Sequence, residues 1–336
     1  MTTFQTNIVP LKQLEIVLPG LLSNLPIARA QIAIDQLRGA IETDSGKRVL
    51  LLFTCEEGNQ TPVAAAVAIQ QPSHSETPSD MATVIHAGGL APSSLPAAAI
   101  ASLRSALASE FSRRGVRFVQ WATELVGTEA GLPIANWCQG LGFQPLGNLD
   151  YMTAADDESS QVVSDAQLRF RGIDPSDRDA LQSFAELIEQ TYTQTQDCPG
   201  LNEFRSAAET LEGYQNSNAF APEWWFVVSD SKNHSLGALI LGFHQPASTQ
   251  SDAQGIVEIV YMGVAPQARG RSLGRQLVAH AFRLAKQGNA SRVILAVDQQ
   301  NSRARSIYKE FGFQTMLTES VWARSIDDGG DSPRLR

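Results

Sequence analysis

Within six residues, Arg269-Gly270-Arg271-Ser272-Leu273-Gly274, the chain sets two arginines and two glycines where an apolar run ends and helical periodicity begins. The first four N–H groups of a helix lack internal partners, and the aligned peptide dipoles add partial positive charge there. Glycines let a phosphate approach those N–H groups closely, and arginines supply further charge. A pyrophosphate suits this chemistry. The Lys-Ser/Thr ending of a P-loop is missing, and so is the GxGxxG dinucleotide fingerprint. The plain alternative is a helix start with a solvated arginine pair.

The charge around this stretch is uneven. From Met262 to Phe313 nine Lys/Arg stand against Asp298 and Glu310, net +7 in a chain of net −9, which leaves −16 for the remainder. A basic zone in an acidic protein points to an anionic small ligand, although Arg283 and Lys286 also fit a solvated helix face. The overall charge argues against nucleic acid as the main partner. No apolar run reaches the length of a membrane span, and the first residues lack the basic start and apolar block of a secretory signal. Cys55, Cys138 and Cys198 show no ligand-like spacing, which fits a reducing cytoplasm and no metal site. Oligomeric state is left open, with an oligomer possible.

The elements that must position this loop occur twice, at an offset of about 170 residues. TVIHAGGLAP ends at Ala91-Pro92 and EIVYMGVAP at Ala265-Pro266. A helix follows each, Pro96 to about Arg114 and Ser272 to about Gln287. A strand follows each helix, from Val116 and from Arg292, and then a short helix ends in GLGFQ (140–144) or EFGFQ (310–314). Upstream, VLLLF and AAAVAI correspond to WWFVV and GALILGF, read as hairpin strands. Asp174-Pro175 reads as a helix start running to about Thr193. The expected architecture is α/β: two tandem domains, each a mixed, mostly antiparallel sheet flanked by helices. The domains are 1–152 and 168–326, with an acidic linker at 153–167 and a disordered tail at 327–336.

The run Val264-x-Pro266-x-x-Arg269-Gly270-x-x-Leu273-Gly274-x-x-Leu277 resembles the acyl-CoA pyrophosphate loop of the GNAT N-acetyltransferase superfamily. Asn301-x-x-Ala304-x-x-x-Tyr308-x-x-x-Gly312-Phe313 resembles the second half of that signature. The resemblance covers about 168–324 by motif and about 30–152 only by element order and the GLGF phrase. The tandem arrangement with unequal halves is similar to that of the mycothiol synthases, although no residue ties this chain to their substrate. One departure is Ser272, where the family usually has glycine.

The resemblance implies roles. The backbone of Met262, Gly263 and Val264 would pair with the pantetheine arm as an added strand does. The N–H groups of Arg269, Gly270, Arg271, Ser272, Leu273 and Gly274 would hold the pyrophosphate. Asn301 would contact the CoA arm or order the loop after the fifth strand, unless it is a turn residue or helix cap. Tyr308 would protonate the departing thiolate, unless it packs beside Phe311 and Phe313. Glu258 is the candidate general base, or else an edge or interface carboxylate. By strand alternation it shares a face with Val260, Met262 and Val264, which would partly desolvate it.

His280 falls inside a helix and reads as structural. His244 ends a strand and could line a substrate cleft. Trp224-Trp225 reads as core. The first copy lacks the chemistry: SSLPAAA (93–99) replaces the arginine loop, Val84 stands opposite Glu258, Cys138 opposite Tyr308, and Gly131 roughly opposite Asn301. Ser93 and Ser94 keep a weak phosphate contact open.

The implied activity is transfer of an acetyl group from acetyl-CoA to a primary amine of a small molecule or peptide, by the C-terminal domain. The alternative is a non-catalytic acyl-CoA binder, a sensor or scaffold.

Overall fold

The computed structural model describes residues 2–22, 27–72, 79–90, 95–125, 132–155, 168–217, 219–246 and 254–326. The expected tail, most of the expected linker, and Ser93, Ser94 and Gly131 lie outside these residues. The chain divides into two compact units, Met1–Leu146 with Glu319–Arg336, and Gly147–Thr318.

The first unit contains β1 (Phe4–Ile8), α1 (Leu14–Leu22), α2 (Ile27–Asp44), β2 (Val49–Glu56), β3 (Pro62–Gln70), β4 (Met81–Gly89), α3 (Ala97–Arg113), β5 (Phe118–Glu124) and α4 (Leu132–Gly140). Strand β6 (Gln144–Ala155) follows. The second unit contains β7 (Arg169–Gly172), α5 (Arg178–Tyr192), α6 (Ala207–Gln215), β8 (Phe220–Ser229), β9 (Ser235–His244), β10 (Gly255–Val264), α7 (Leu273–Gln287), β11 (Ala290–Asp298) and α8 (Ser302–Glu310). Strand β12 (Gln314–Ser325) ends the described chain.

The two units repeat one plan. In the first, the strand order is β1-β2-β3-β4-β5-β12, antiparallel except for β4–β5. In the second it is β7-β8-β9-β10-β11-β6, antiparallel except for β10–β11. The parallel pair needs a crossover, which α3 and α7 provide.

The final strands are exchanged between the halves of the chain. Residues 319–325 of β12 pair with β5, and residues 149–155 of β6 pair with β11. The compact units are therefore cut differently from the expected 1–152 and 168–326. Thr153 to Ala155, expected in the linker, continue β6 opposite 292–294. The exchange carries no local signal, because both strands follow a similar helix and phrase. Cross-strand packing identifies the partner. Trp322 sits opposite Trp121, both almost fully buried, and its indole Nε1 donates to Thr123 Oγ1 at 3.1 Å. Met152 and Ala154 pack into the second unit's core.

Both faces of the second sheet are covered, so β9 is an almost unbroken apolar run. Leu239 and Leu241 pack with α7 and α8, while Ala238 and Ile240 pack with α5 and α6. Helix α7 buries Leu273, Leu277, Val278, Ala281, Phe282 and Ala285 at helical spacing. Each large side chain buried this way contributes about 1.5–3 kcal/mol relative to an exposed one.

Helix α5 begins later than Asp174-Pro175 suggests. The Asp174 carboxylate accepts from Ser176 N and Ser176 Oγ, closing a turn, and Asp177 is the cap, accepting from the N–H groups of Asp179 and Ala180. Two nearby aspartates each satisfy local N–H groups, and their spacing alone does not say which one opens the helix.

The repeated GF phrase has a backbone cause. Gly142 and Gly312 have φ of +84° and +78°, where a Cβ costs about 1 kcal/mol. Phe143 N donates to Cys138 O at 2.9 Å, and Phe313 N to Tyr308 O at 3.0 Å. Each short helix thus closes with the same left-handed turn, and Cys138 and Tyr308 hold equivalent places.

Candidate active site

Strands β10 and β11 part company midway. Their parallel pairing runs from Gly255 opposite Ala290 to Ile259 opposite Leu295 and then stops. Beyond that point β11 continues against β6 to Asp298, while β10 continues against β9 to Val264 opposite Gly237. The edge of Met262, Gly263 and Val264 that faces away from β9 has no strand partner among the described residues. A row of unused N–H and C=O groups is a template for an extended ligand.

A bulge accompanies the divergence, between Ile259 and Tyr261. It corrects the expected face of Glu258. Val257, Ile259, Met262 and Val264 pack on the α7–α8 side, whereas Val260 and Tyr261 pack on the α5–α6 side. Glu258 alternates with Val257 and Ile259, so it shares the face of Val260 but not that of Met262 and Val264. One extra residue inverts the alternation, and composition gives no warning of it.

Gly263 is required by close packing. A Cβ there would lie 2.5 Å from Thr191 Oγ1 and 2.6 Å from Tyr261 Oη. Thr191 and Tyr261 hydrogen-bond to each other through their hydroxyls, and Thr191 Oγ1 also donates to Ile188 O at 2.7 Å. The end of α5 is thereby seated against β10.

The arginine–glycine loop enters α7 through two left-handed residues, Gly270 at φ +78° and Ser272 at φ +58°, ψ +15°. This explains the departure at Ser272. The position needs a conformation that glycine adopts freely and that costs a residue with a Cβ about 1 kcal/mol. The Ser272 side chain makes no capping hydrogen bond. The N–H groups of residues 270–274 donate to no backbone carbonyl among the described residues. Unused N–H groups in such a turn at a helix start suit an anion.

The residues of that loop divide their work. The Arg269 guanidinium donates to Val264 O at 3.2 Å and Thr191 O at 2.9 Å, so it fastens the loop to β10 and α5. Arg271 is exposed and makes no hydrogen bond or ion pair among the described residues. Leu273 is buried with Leu236 and Ala268 and anchors the helix start. Gly274 lets α7 approach α8, since a Cβ there would meet Ile307 Cδ1 at 2.9 Å.

Tyr308 is 6% exposed and lies in the α7–α8 core beside Phe311 and Phe313. Burial, and then the charge of Asp197, push its phenol upward, so the hydroxyl keeps its proton. Asn301 caps α8 by accepting from Ala304 N at 3.2 Å, and its side chain also bonds the Asp197 carboxylate. Asp197 accepts from Asp298 N at 2.8 Å, and Asp298 accepts from Cys198 N at 3.1 Å and Gln300 N at 2.8 Å. Burial raises Asp197 above the usual carboxylate range and also raises the Cys198 thiol. Asn301 thus orders the turn after β11. Spacing does not reveal Asp197 as a partner of Asn301, because the two lie about a hundred residues apart in the chain.

Glu258 is one-third exposed and its Oε2 lies 2.7 Å from His244 Nε2. The hydrogen bond to Glu258 raises the imidazole's basicity against the opposing effect of burial. Three phenols share the α5–α6 side: Tyr192, Tyr214 and Tyr261, with the Tyr192 and Tyr261 rings edge-on at 6.1 Å. Burial pushes Tyr192 up to about 12 and also raises Tyr214, to which the Glu258 charge adds.

His280 is structural: it stacks on Phe170 at 3.7 Å, and burial, then Arg283, push it down to about 4. Trp225 is in the core, and Trp224 packs edge-on against Phe243. Cys55, Cys138 and Cys198 are free thiols. No helix among the described residues is long and apolar enough to cross a membrane.

Comparison with known proteins adds a family and relatives to this α/β unit. Residues 183–313 match the Acetyltransferase (GNAT) family. The chain is 25% identical over 116 residues to the mycothiol acetyltransferase of Saccharomonospora viridis, covering 34% of this chain and 38% of that protein. It is 32% identical over 116 residues to that of Mycolicibacterium smegmatis, covering 34% and 37%. The match thus spans little more than a third of these relatives' length. Among solved structures, a GCN5-related N-acetyltransferase from Sphaerobacter thermophilus superposes with a TM-score of 0.53 at 14% identity, covering 99% of this chain and 98% of that one. The family match thus lies in the second unit, over residues 183–313.

Proposed function

We propose that the second unit transfers an acetyl group from acetyl-CoA to a primary amine of a small molecule or peptide. The observation that carries this reading is the continuity of two anchoring surfaces: the unpaired edge of Met262–Val264 leads into a loop whose N–H groups at 270–274 are unused. An extended amide-bearing arm suits the edge, and a pyrophosphate suits the loop. Acetyl-CoA, as cosubstrate, supplies the acetyl group. The family relatives named mycothiol acetyltransferase support a small-molecule acceptor. The three free thiols and the acidic composition fit a cytoplasmic protein.

The chain's own groups have separate tasks in this reading. Arg269 holds the loop closed against α5, and Arg271 supplies exposed positive charge. Asn301 and Asp197 hold the start of α8, which carries Tyr308. Tyr308 keeps its proton until negative charge develops on the departing sulfur, and then donates to it. Glu258 removes a proton from the acceptor ammonium, leaving a neutral nitrogen that can attack. The remainder is positioning within a ternary complex.

Calorimetric titration with acetyl-CoA, followed by an acceptor screen over small primary amines, tests the proposal. One site per chain with acetylation of an amine is expected. Binding with no transfer to any amine identifies a non-catalytic acyl-CoA binder, and absence of binding refutes the reading of the loop.

A further inference from the structure

The two units build the same hairpin, and they load one position of it differently. In the second, Glu258 on β10 lies opposite Gly242 on β9, and His244 stands two residues further along, the diagonal neighbour. In the first, Thr83 on β4 lies opposite Ile69 on β3, and Gln71 stands two residues further along. The side chains meet in both cases: Gln71 Nε2 donates to Thr83 Oγ1 at 2.7 Å, and His244 Nε2 lies 2.7 Å from Glu258 Oε2. Each strand carries its bulge just after this point, between Val67 and Ala68 of β3 against β4, and between Ile259 and Tyr261 of β10. The equivalence corrects the expected alignment, because Thr83 rather than Val84 occupies the Glu258 place. The fold therefore brings this diagonal together regardless of chemistry. Only the second unit fills it with a carboxylate and an imidazole, two ionisable groups.

We propose that His244 is the positioning residue and proton outlet for Glu258, holding its carboxylate in place and receiving the proton that Glu258 takes from the acceptor. This rests on Glu258 acting as the base. The transfer balances as follows. An N–H bond of the acceptor ammonium breaks and an O–H bond forms on Glu258. That O–H bond then breaks as Nε2–H forms on neutral His244. The Nδ1 proton leaves to water, which the 40% exposure of the His244 side chain permits. The net result is a neutral amine and one proton in solution, with Glu258 again a carboxylate and His244 an Nε2–H tautomer, which donates to that carboxylate and holds it until proton exchange with water regenerates the bare Nε2. When His244 is already protonated, Nε2–H donates to the carboxylate, and the ion pair withdraws Glu258 from service. Among the described residues, the other ionisable groups coupled on this face include Tyr214 of α6, Tyr192 and Glu189 of α5, Tyr261 of β10, Arg205, Asp197 and Cys198. The phenols are held protonated by burial, and His244 is the group of this set hydrogen-bonded to Glu258.

The test is imidazole NMR titration of the full chain, with His244 assigned by its loss in His244→Gln. The expected result is a His244 titration above the ordinary imidazole value that falls toward it in Glu258→Gln. With an amine found by the acceptor screen, His244→Gln lowers kcat about tenfold at neutral pH. It leaves the KM for acetyl-CoA unchanged, and adding it to Glu258→Gln brings no further loss. A slow Glu258→Gln enzyme whose His244 titration does not move overturns the His244 proposal and leaves Glu258 as base. Undiminished turnover in Glu258→Gln overturns the base reading and, with it, the proton outlet.

Discussion

At the close of α4 and of α8 the same left-handed glycine turn places Cys138 in one unit and Tyr308 in the other. Cys138 is fully buried, and Tyr308 is 6% exposed. Parallel pairing stops at Val84 opposite Trp121 in the first unit and at Ile259 opposite Leu295 in the second. Both units therefore diverge their central strands at the same bulge. They differ in what is mounted on that frame. The first carries Thr83, Gln71 and Cys138 where the second carries Glu258, His244 and Tyr308. A duplicated fold keeps its geometry because backbone pairing and core packing maintain it. The chemistry depends on a few side chains that packing does not dictate, and those have diverged.

The largest effect that would sharpen this contrast is at Glu258. Glu258→Gln should lower kcat/KM for the acceptor by about 10²–10³-fold where His244 is neutral, with a smaller loss at low pH, where protonated His244 already withdraws Glu258. Thr83→Val, at the equivalent place, should leave turnover unchanged. A pH–rate profile of each variant decides. Next, Tyr308→Phe should reduce kcat about 10–100-fold while the Kd for acetyl-CoA stays within about twofold. Equal loss of both would make Tyr308 a core residue, as Cys138 is.

A stability comparison follows. Gly263→Ala forces a methyl group to within 2.6 Å of the Thr191 and Tyr261 hydroxyl oxygens, whereas the nearest atom to a Cβ at Gly88, the matching position, is His86 Nε2 at 3.5 Å. The first substitution should destabilise by about 1–3 kcal/mol, lowering Tm by several degrees, and the second by less than about 0.5 kcal/mol. Equal shifts in Tm would break the claim that α5 is seated on β10 through Gly263. The smallest effect is at the loop. Ser272→Gly should raise stability by about 0.5–1 kcal/mol by relieving the left-handed serine, without weakening acetyl-CoA binding. Weaker binding would show that the serine hydroxyl is itself a ligand.

The sequence by itself determined the features encoded within a few residues. The apolar spacing of α7, the glycine of each helix-closing turn, the arginine–glycine loop and the duplication of the pattern were all readable, because helical periodicity and left-handed backbone are local demands. The tertiary structure alone decided four others. The exchange of β6 and β12 was settled by cross-strand partners such as Trp121 and Trp322. The bulge after Ile259 turned Met262 and Val264 to the face opposite Glu258. The register of β9 against β10 brought His244 to Glu258, and the folding of the chain brought Asp197 to Asn301. Each of these depends on which strand or loop lies alongside. That is a choice among partners far apart in the chain, decided by the packing of the whole unit rather than by any short stretch of residues.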